Sequence, residues 1–262
     1  MEEKEMTLTE LFNTIVTNSL NTVENSLLED HKIQDDSVPL RGLCLASRIH
    51  YGDDSFLNLY ESLKNELVPV VANLYRMPLS HNLVVQYALG VAKGFIIATV
   101  LGNWVQADVK QPTSAQYVEE VHKICSEVRD LFSSKNDTYK SDTDPMMNFS
   151  KGGVLLFDDY TYEGKFAALK GYCAKHVVTA INNNVNFTKL TESTKDITTY
   201  FLIAVAMKLM YSKEEAAKKA AETTAAQPEQ VTVKAESTET PAEPVEVKFT
   251  SEEVKEDTNE NS

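Results

Sequence analysis

Two carboxylates one helical turn apart, Glu192 and Asp196, head a stripe that continues through Tyr200, Ile203, Met207 and Met210. Aligned with apolar residues, they are placed for partial burial. A buried carboxylate needs a cation or strong donors, because desolvation otherwise favours its protonated form. The same pair can instead decorate a helix N-terminus capped by Thr191 and interact with its dipole. A second pair, Glu120 and Glu127, falls at one edge of an apolar face made by Val118, Val121, Ile124, Cys125, Val128, Leu131 and Phe132. His122 and Arg129 share the opposite edge. From an edge a carboxylate can reach inward to a cation or stay in water. His176 lies beside a third face, built from Phe166, Leu169, Cys173, Val177, Ala180 and Ile181. Such a histidine serves either packing, through hydrogen bonds, or proton chemistry. Lys170 falls within that face, and helical geometry points Lys175 away from it.

These side chains need helices to carry them, and the apolar spacing supplies helices along most of the chain. Leu8, Leu11, Phe12, Ile15, Val16, Leu20, Val23 and Leu27 recur at spacings of three and four, which predicts a helix over 7–29. Thr7 and Glu10 form its capping-box pair. A polar loop follows to Pro39, then a short helix over 40–49. Asp53, Asp54 and Ser55 signal the start of a helix over 55–76, in which Pro69 should introduce a kink or a new segment. The next helix, 80–106, is the most apolar part of the chain. Gly90, Gly94, Ala98 and Gly102 give it a groove of small residues that lets another helix approach closely. Gln86 and Lys93 interrupt its apolar run and no basic cluster flanks it, so it reads as a buried helix rather than a membrane span. Pro112 marks a boundary. Helices are predicted over 114–134, 163–184 and 189–212, with a loop of about thirty residues, Ser133–Tyr162, between the first two. A loop that long is functional or hides structure of its own. The fold class is therefore all-α: a helical bundle with an N-terminal helical region.

Charge divides the chain further. The formal net charge is −14, which argues against nonspecific nucleic-acid binding, since that needs a basic surface. From Lys213 to Ser262 thirteen acidic residues face six lysines, and Phe249 is the only aromatic. Composition predicts a disordered acidic tail, a solubilising segment or one that docks a protein partner around Val245–Phe249. Cys44, Cys125 and Cys173 share no metal-ligand spacing, and the start Met-Glu-Glu-Lys-Glu has no secretory pattern, so a reducing cytoplasmic compartment is expected.

One ordered set of motifs remains. Lys135-Asn136-Asp137-Thr138-Tyr139 is followed by Asp144-Pro145-Met146-Met147-Asn148-Phe149, then by a helix with Lys175-His176, then by Glu192-Ser193-Thr194-Lys195-Asp196 with Tyr200 four residues on. This order resembles small all-α proteins common in phage genomes, of the MazG-like or nucleotide-modification-associated type, over about residues 115–212. The chain departs from the pattern at Asp137, one place early, and at Glu127-x-x-Asp130, the nearest match to a Glu-x-x-Glu pair. The resemblance implies three regions: 1–110 of unknown role, a MazG-like domain at 111–212 and the tail at 213–262. It implies a nucleotide-binding protein, a Mg²⁺-dependent nucleoside triphosphate pyrophosphohydrolase that forms homo-oligomers in a phage-infected host cell. Glu127, Glu192 and Asp196 would be the catalytic metal ligands, with Glu120 in reserve, because Mg²⁺ takes hard oxygen donors. Lys135 and Lys175 would meet phosphate, with His176 beside them. Asn136, Tyr139 and Asn148 would orient base or sugar. A site shared between protomers would reconcile that role of Lys175 with its outward direction. The alternative is a non-catalytic phage structural or interaction protein that oligomerises through its bundle.

Overall fold

The Thr7 amide donates to Glu10 Oε2 at 2.8 Å and the Glu10 amide to Thr7 Oγ1 at 3.1 Å, so the predicted capping box starts the first helix, α1 (Leu8–Ile33). The computed structural model describes residues 6–34, 38–139, 141, 143–182 and 186–225. Among them there are seven further helices and no strand: α2 (Arg41–Tyr51), α3 (Phe56–Arg76), α4 (Val84–Gln106), α5 (Ser114–Tyr139), α6 (Met147–Phe157), α7 (Tyr162–Ile181) and α8 (Phe187–Ala225). The fold is all-α. The acidic segment read as a tail lies, from residue 226 on, outside the described residues.

The most apolar helix takes the central place. Val91, Ala92, Phe95, Ile96, Ala98, Val100 and Leu101 of α4 are all buried. This helix is long and apolar enough to cross a membrane, and 61% of its most apolar window is buried by the other helices. Two of its glycines sit where another helix comes close, while Gly90 faces open space. A Cβ at Gly94 would come within 2.3 Å of Leu67 of α3, and one at Gly102 within 2.5 Å of Thr191 of α8. Thr99 and Thr194 join hydroxyls at 2.7 Å across the same interface, which satisfies both buried groups. α3 runs through Pro69 as one helix.

The two halves of the chain pack together. α1 and α4 lie against α5, and residues up to 221 form one compact unit. Long-range polar ties hold the helix ends. Glu163 of α7 accepts from the amides of Leu79 and Ser80, each at 2.8 Å. Lys170, inside the apolar face, donates to the carbonyls of Tyr75 and Met77 at 3.1 and 3.2 Å, at the C-terminus of α3.

Three elements differ from the sequence reading. α8 continues to Ala225, so residues 213–225 of the expected tail are helical. α5 extends to Tyr139, and the supposed long loop contains α6. The turn between them is fixed by Asp144. Its carboxylate accepts from the Met146 amide at 2.8 Å and the Ser150 hydroxyl at 2.6 Å, while its own amide donates to Ser141 Oγ at 2.9 Å. α6 then lies so close to α7 that a Cβ on Gly153 would sit 2.9 Å from the Gly164 backbone. The short apolar run of α6 gave too few turns for a helical period to show.

Candidate functional site

The ends of α5 and α6 and the middles of α7 and α8 enclose a pocket of about 550 Å³. α5 contributes Phe132, Lys135 and Asn136. The Asp144 turn brings Pro145 and Met146 to the wall and, one helical turn on, Asn148 and Phe149. α7 adds Tyr172, Lys175 and His176, α8 adds Asp196, Thr199 and Tyr200, and α1 closes one side with Phe12. Asn136 is steadied from α1 by its hydrogen bond to Asn13 Oδ1 at 3.1 Å.

The polar centre is built on Asp196. One of its oxygens is paired with the Lys135 ammonium, and the other lies 3.3 Å from His176 Nδ1. Lys135 also sits 5.6 Å from the centre of the Tyr200 ring, within cation–π range. Burial holds the His176 imidazole below its ordinary range. Asp196 opposes this shift, and Lys175 and Lys135 push with it. The ring is thus neutral at pH 7, and its approach to Asp196 is a polar contact rather than an ion pair. The aromatic wall is continuous: Phe149 lies 6.0 Å from Tyr172 and 6.3 Å from Tyr200, and His176 lies 6.0 Å from Tyr200. Behind the wall, burial pushes the Cys173 thiol up to about 12, which keeps it protonated.

Of the residues singled out in the sequence, Lys135, Asn136, Asn148, Lys175, His176 and Asp196 come together here. Lys175 lines the pocket within a single chain. Although it points away from the apolar face of α7, its long side chain still reaches the pocket. Glu127 and Glu192 do not line the pocket. Glu127 is taken up by Lys195 at 2.9 Å and Glu192 is exposed. Glu120 turns inward, but to the Asn103 amide at 2.6 Å. Thr191 does not cap α8. Asn186 does, accepting from the Lys189 amide at 3.1 Å, so Asp196 lies well inside the helix and the dipole reading does not apply to it. Tyr139 is the last residue of α5, and its side chain lies outside the described residues.

Among the described residues, the pocket lining does not bring together the carboxylate set that the resemblance implies for Mg²⁺. Among the described residues no group of three His, Cys, Asp or Glu side chains is arranged to hold an ion. Among the described lining residues the one carboxylate, Asp196, already has Lys135 against it. The sequence reading did not assign the wall residues Phe12, Phe132, Met146, Tyr172 and Thr199 to the site. Each looks like an ordinary core residue, and no spacing marks a side chain that faces a cavity rather than a neighbour. Comparison with protein-family models, with curated proteins and with solved structures returned no match for this chain.

Proposed function

We propose that this protein binds a nucleotide in the α5–α8 pocket, with the base against the aromatic wall and phosphate toward the lysines. One observation carries the reading. Polar residues from four separate stretches of sequence, 135–136, 148, 175–176 and 196, meet in one cavity walled by Phe149, Tyr172 and Tyr200. Aromatic faces suit a base, ammonium groups suit phosphate oxygens, and a few convergent polar groups in an apolar cavity are the usual form of a small-molecule site. Release of pyrophosphate from a nucleoside triphosphate, the reaction the resemblance implies, is a separate claim. Among the described residues no carboxylate cluster stands beside the pocket to hold Mg²⁺.

Calorimetric titration of the purified protein with the common ribo- and deoxyribonucleotides, with and without Mg²⁺, tests the reading. Binding is expected for wild type and loss of it for Tyr200→Ala, which keeps the helix but removes one wall. If none of the nucleotides binds, the reading is wrong. A pyrophosphate-release assay on the same samples decides whether binding leads to turnover.

One observation favours the structural alternative as well. Leu155, Leu156, Phe157 and Tyr160, at the end of α6, are 83%, 53%, 52% and 75% exposed. Contiguous exposed apolar residues of this kind mark contact surfaces. Sedimentation of wild type and Leu155→Glu tests whether they join copies of the chain.

A further inference from the structure

The charges around the pocket are few, and they limit how much phosphate it can hold. Among the described residues, the lining contains two ammonium groups, Lys135 and Lys175, and one carboxylate, Asp196, a formal net of one positive charge. Lys135 is already paired with Asp196. Lys175 has no ion-pair partner among the described residues and is exposed at the rim. His176 adds no charge when neutral. The whole chain carries −14, so no general field assists a polyanion.

A phosphate monoester carries about 1.5 to 2 negative charges near pH 7. Lys175 together with a Lys135 shared with Asp196 can meet that. Each further phosphate brings at least one more negative charge and finds no further cation among the described lining residues. A cavity of about 550 Å³ is within the size range of a site for one small ligand. Asn148, at the aromatic end, has no hydrogen-bond partner among the described residues, so its amide is available to a base edge.

Resting on the nucleotide reading above, we propose that the pocket selects a nucleoside monophosphate over the corresponding di- and triphosphate, with the phosphate held by Lys175 and Lys135 and the base lying on Phe149 and Tyr200. Selection follows from charge matching, so it belongs to the metal-free protein.

The test is calorimetry of the full chain in EDTA with the adenosine, guanosine, cytidine and thymidine series, each as nucleoside, mono-, di- and triphosphate. In every series that binds, the monophosphate is expected to bind about tenfold more tightly than both its nucleoside and its triphosphate. Lys175→Gln should weaken the monophosphate by about tenfold and leave the nucleoside unchanged. Lys175 is exposed, so this variant should fold, which circular dichroism checks. A triphosphate that binds as tightly as its monophosphate overturns the proposal while leaving nucleotide binding standing. So does a monophosphate no tighter than its nucleoside, or a Lys175→Gln variant that loses both equally. If no member of any series binds, the nucleotide reading fails and this proposal with it.

Discussion

Asp196→Asn removes the carboxylate that occupies Lys135 while keeping the size of the side chain. The pair is neither in water nor in the core: the Lys135 side chain is 35% exposed and that of Asp196 20%. Two unit charges about 4 Å apart attract by about 1 kcal/mol in water and about 4 kcal/mol at an effective dielectric constant of about 20. Solvent screening at this exposure removes much of the larger figure, and ordering a lysine costs entropy, which leaves a coupling of about 1–2 kcal/mol. A double-mutant cycle with Lys135→Met, read by urea denaturation, should return that value and show it falling as salt rises. The same substitution raises the formal charge of the pocket lining from one positive to two. Nucleoside monophosphate should therefore bind about three- to tenfold more tightly to Asp196→Asn, a gain of about 1 kcal/mol. Lower stability and higher affinity in one variant is an unusual pair of outcomes. A coupling below about 0.3 kcal/mol would mean that the ion pair contributes nothing. A loss of nucleotide affinity would refute the reasoning that Asp196 competes with phosphate for Lys135.

Three further outcomes are expected. His176 is held below its ordinary pKa, so the unfolded chain binds more protons over the interval between the folded value and about 6.5. Its contribution to stability is therefore complete above about pH 6.5 and is lost as pH falls through the folded value; urea midpoints from pH 8 to pH 5 should decline more steeply for wild type than for His176→Asn. Gly164→Ala would place a Cβ 2.4 Å from the Asp159 carbonyl oxygen, whereas a Cβ at Gly90 meets nothing within 4 Å. The first should cost about 1–2 kcal/mol through forced backbone movement and the second should gain about 0.5–1 kcal/mol from helix propensity, both read by thermal denaturation. Burial pushes the Cys125 and Cys173 thiols up to about 12, so iodoacetamide at pH 8 should label the half-buried Cys44 first, and the other two only in denaturant, as mapped by mass spectrometry.

The helices were legible where the apolar period ran long enough. Thr7 with Glu10 marked the start of α1, and Gly94 and Gly102 marked where α3 and α8 come against α4. α6 was hidden because its identity depends on Asp144 fixing the turn and on Gly153 meeting Gly164, contacts made only after folding. In the site, helical spacing gave each side chain an angle around its axis but not the partner at its level along that axis. Asp196 and Glu192 share an angle. Asp196 lies level with Lys135 and His176, while one turn away Glu192 is exposed. Glu127 likewise had the right face and was taken by Lys195, which the pattern had no means of pairing with it. The aromatic walls were invisible because a cavity is defined by what the surrounding helices leave unfilled.

The proposed nucleotide lies among α5, α6, α7 and α8. Photolabelling the full chain with an azido-substituted nucleoside monophosphate, followed by peptide mapping, tests this most directly. The label should fall on the segments carrying Phe149, Tyr172 and Tyr200, and unmodified monophosphate should compete it away. Competed label confined to peptides away from that pocket would contradict the account.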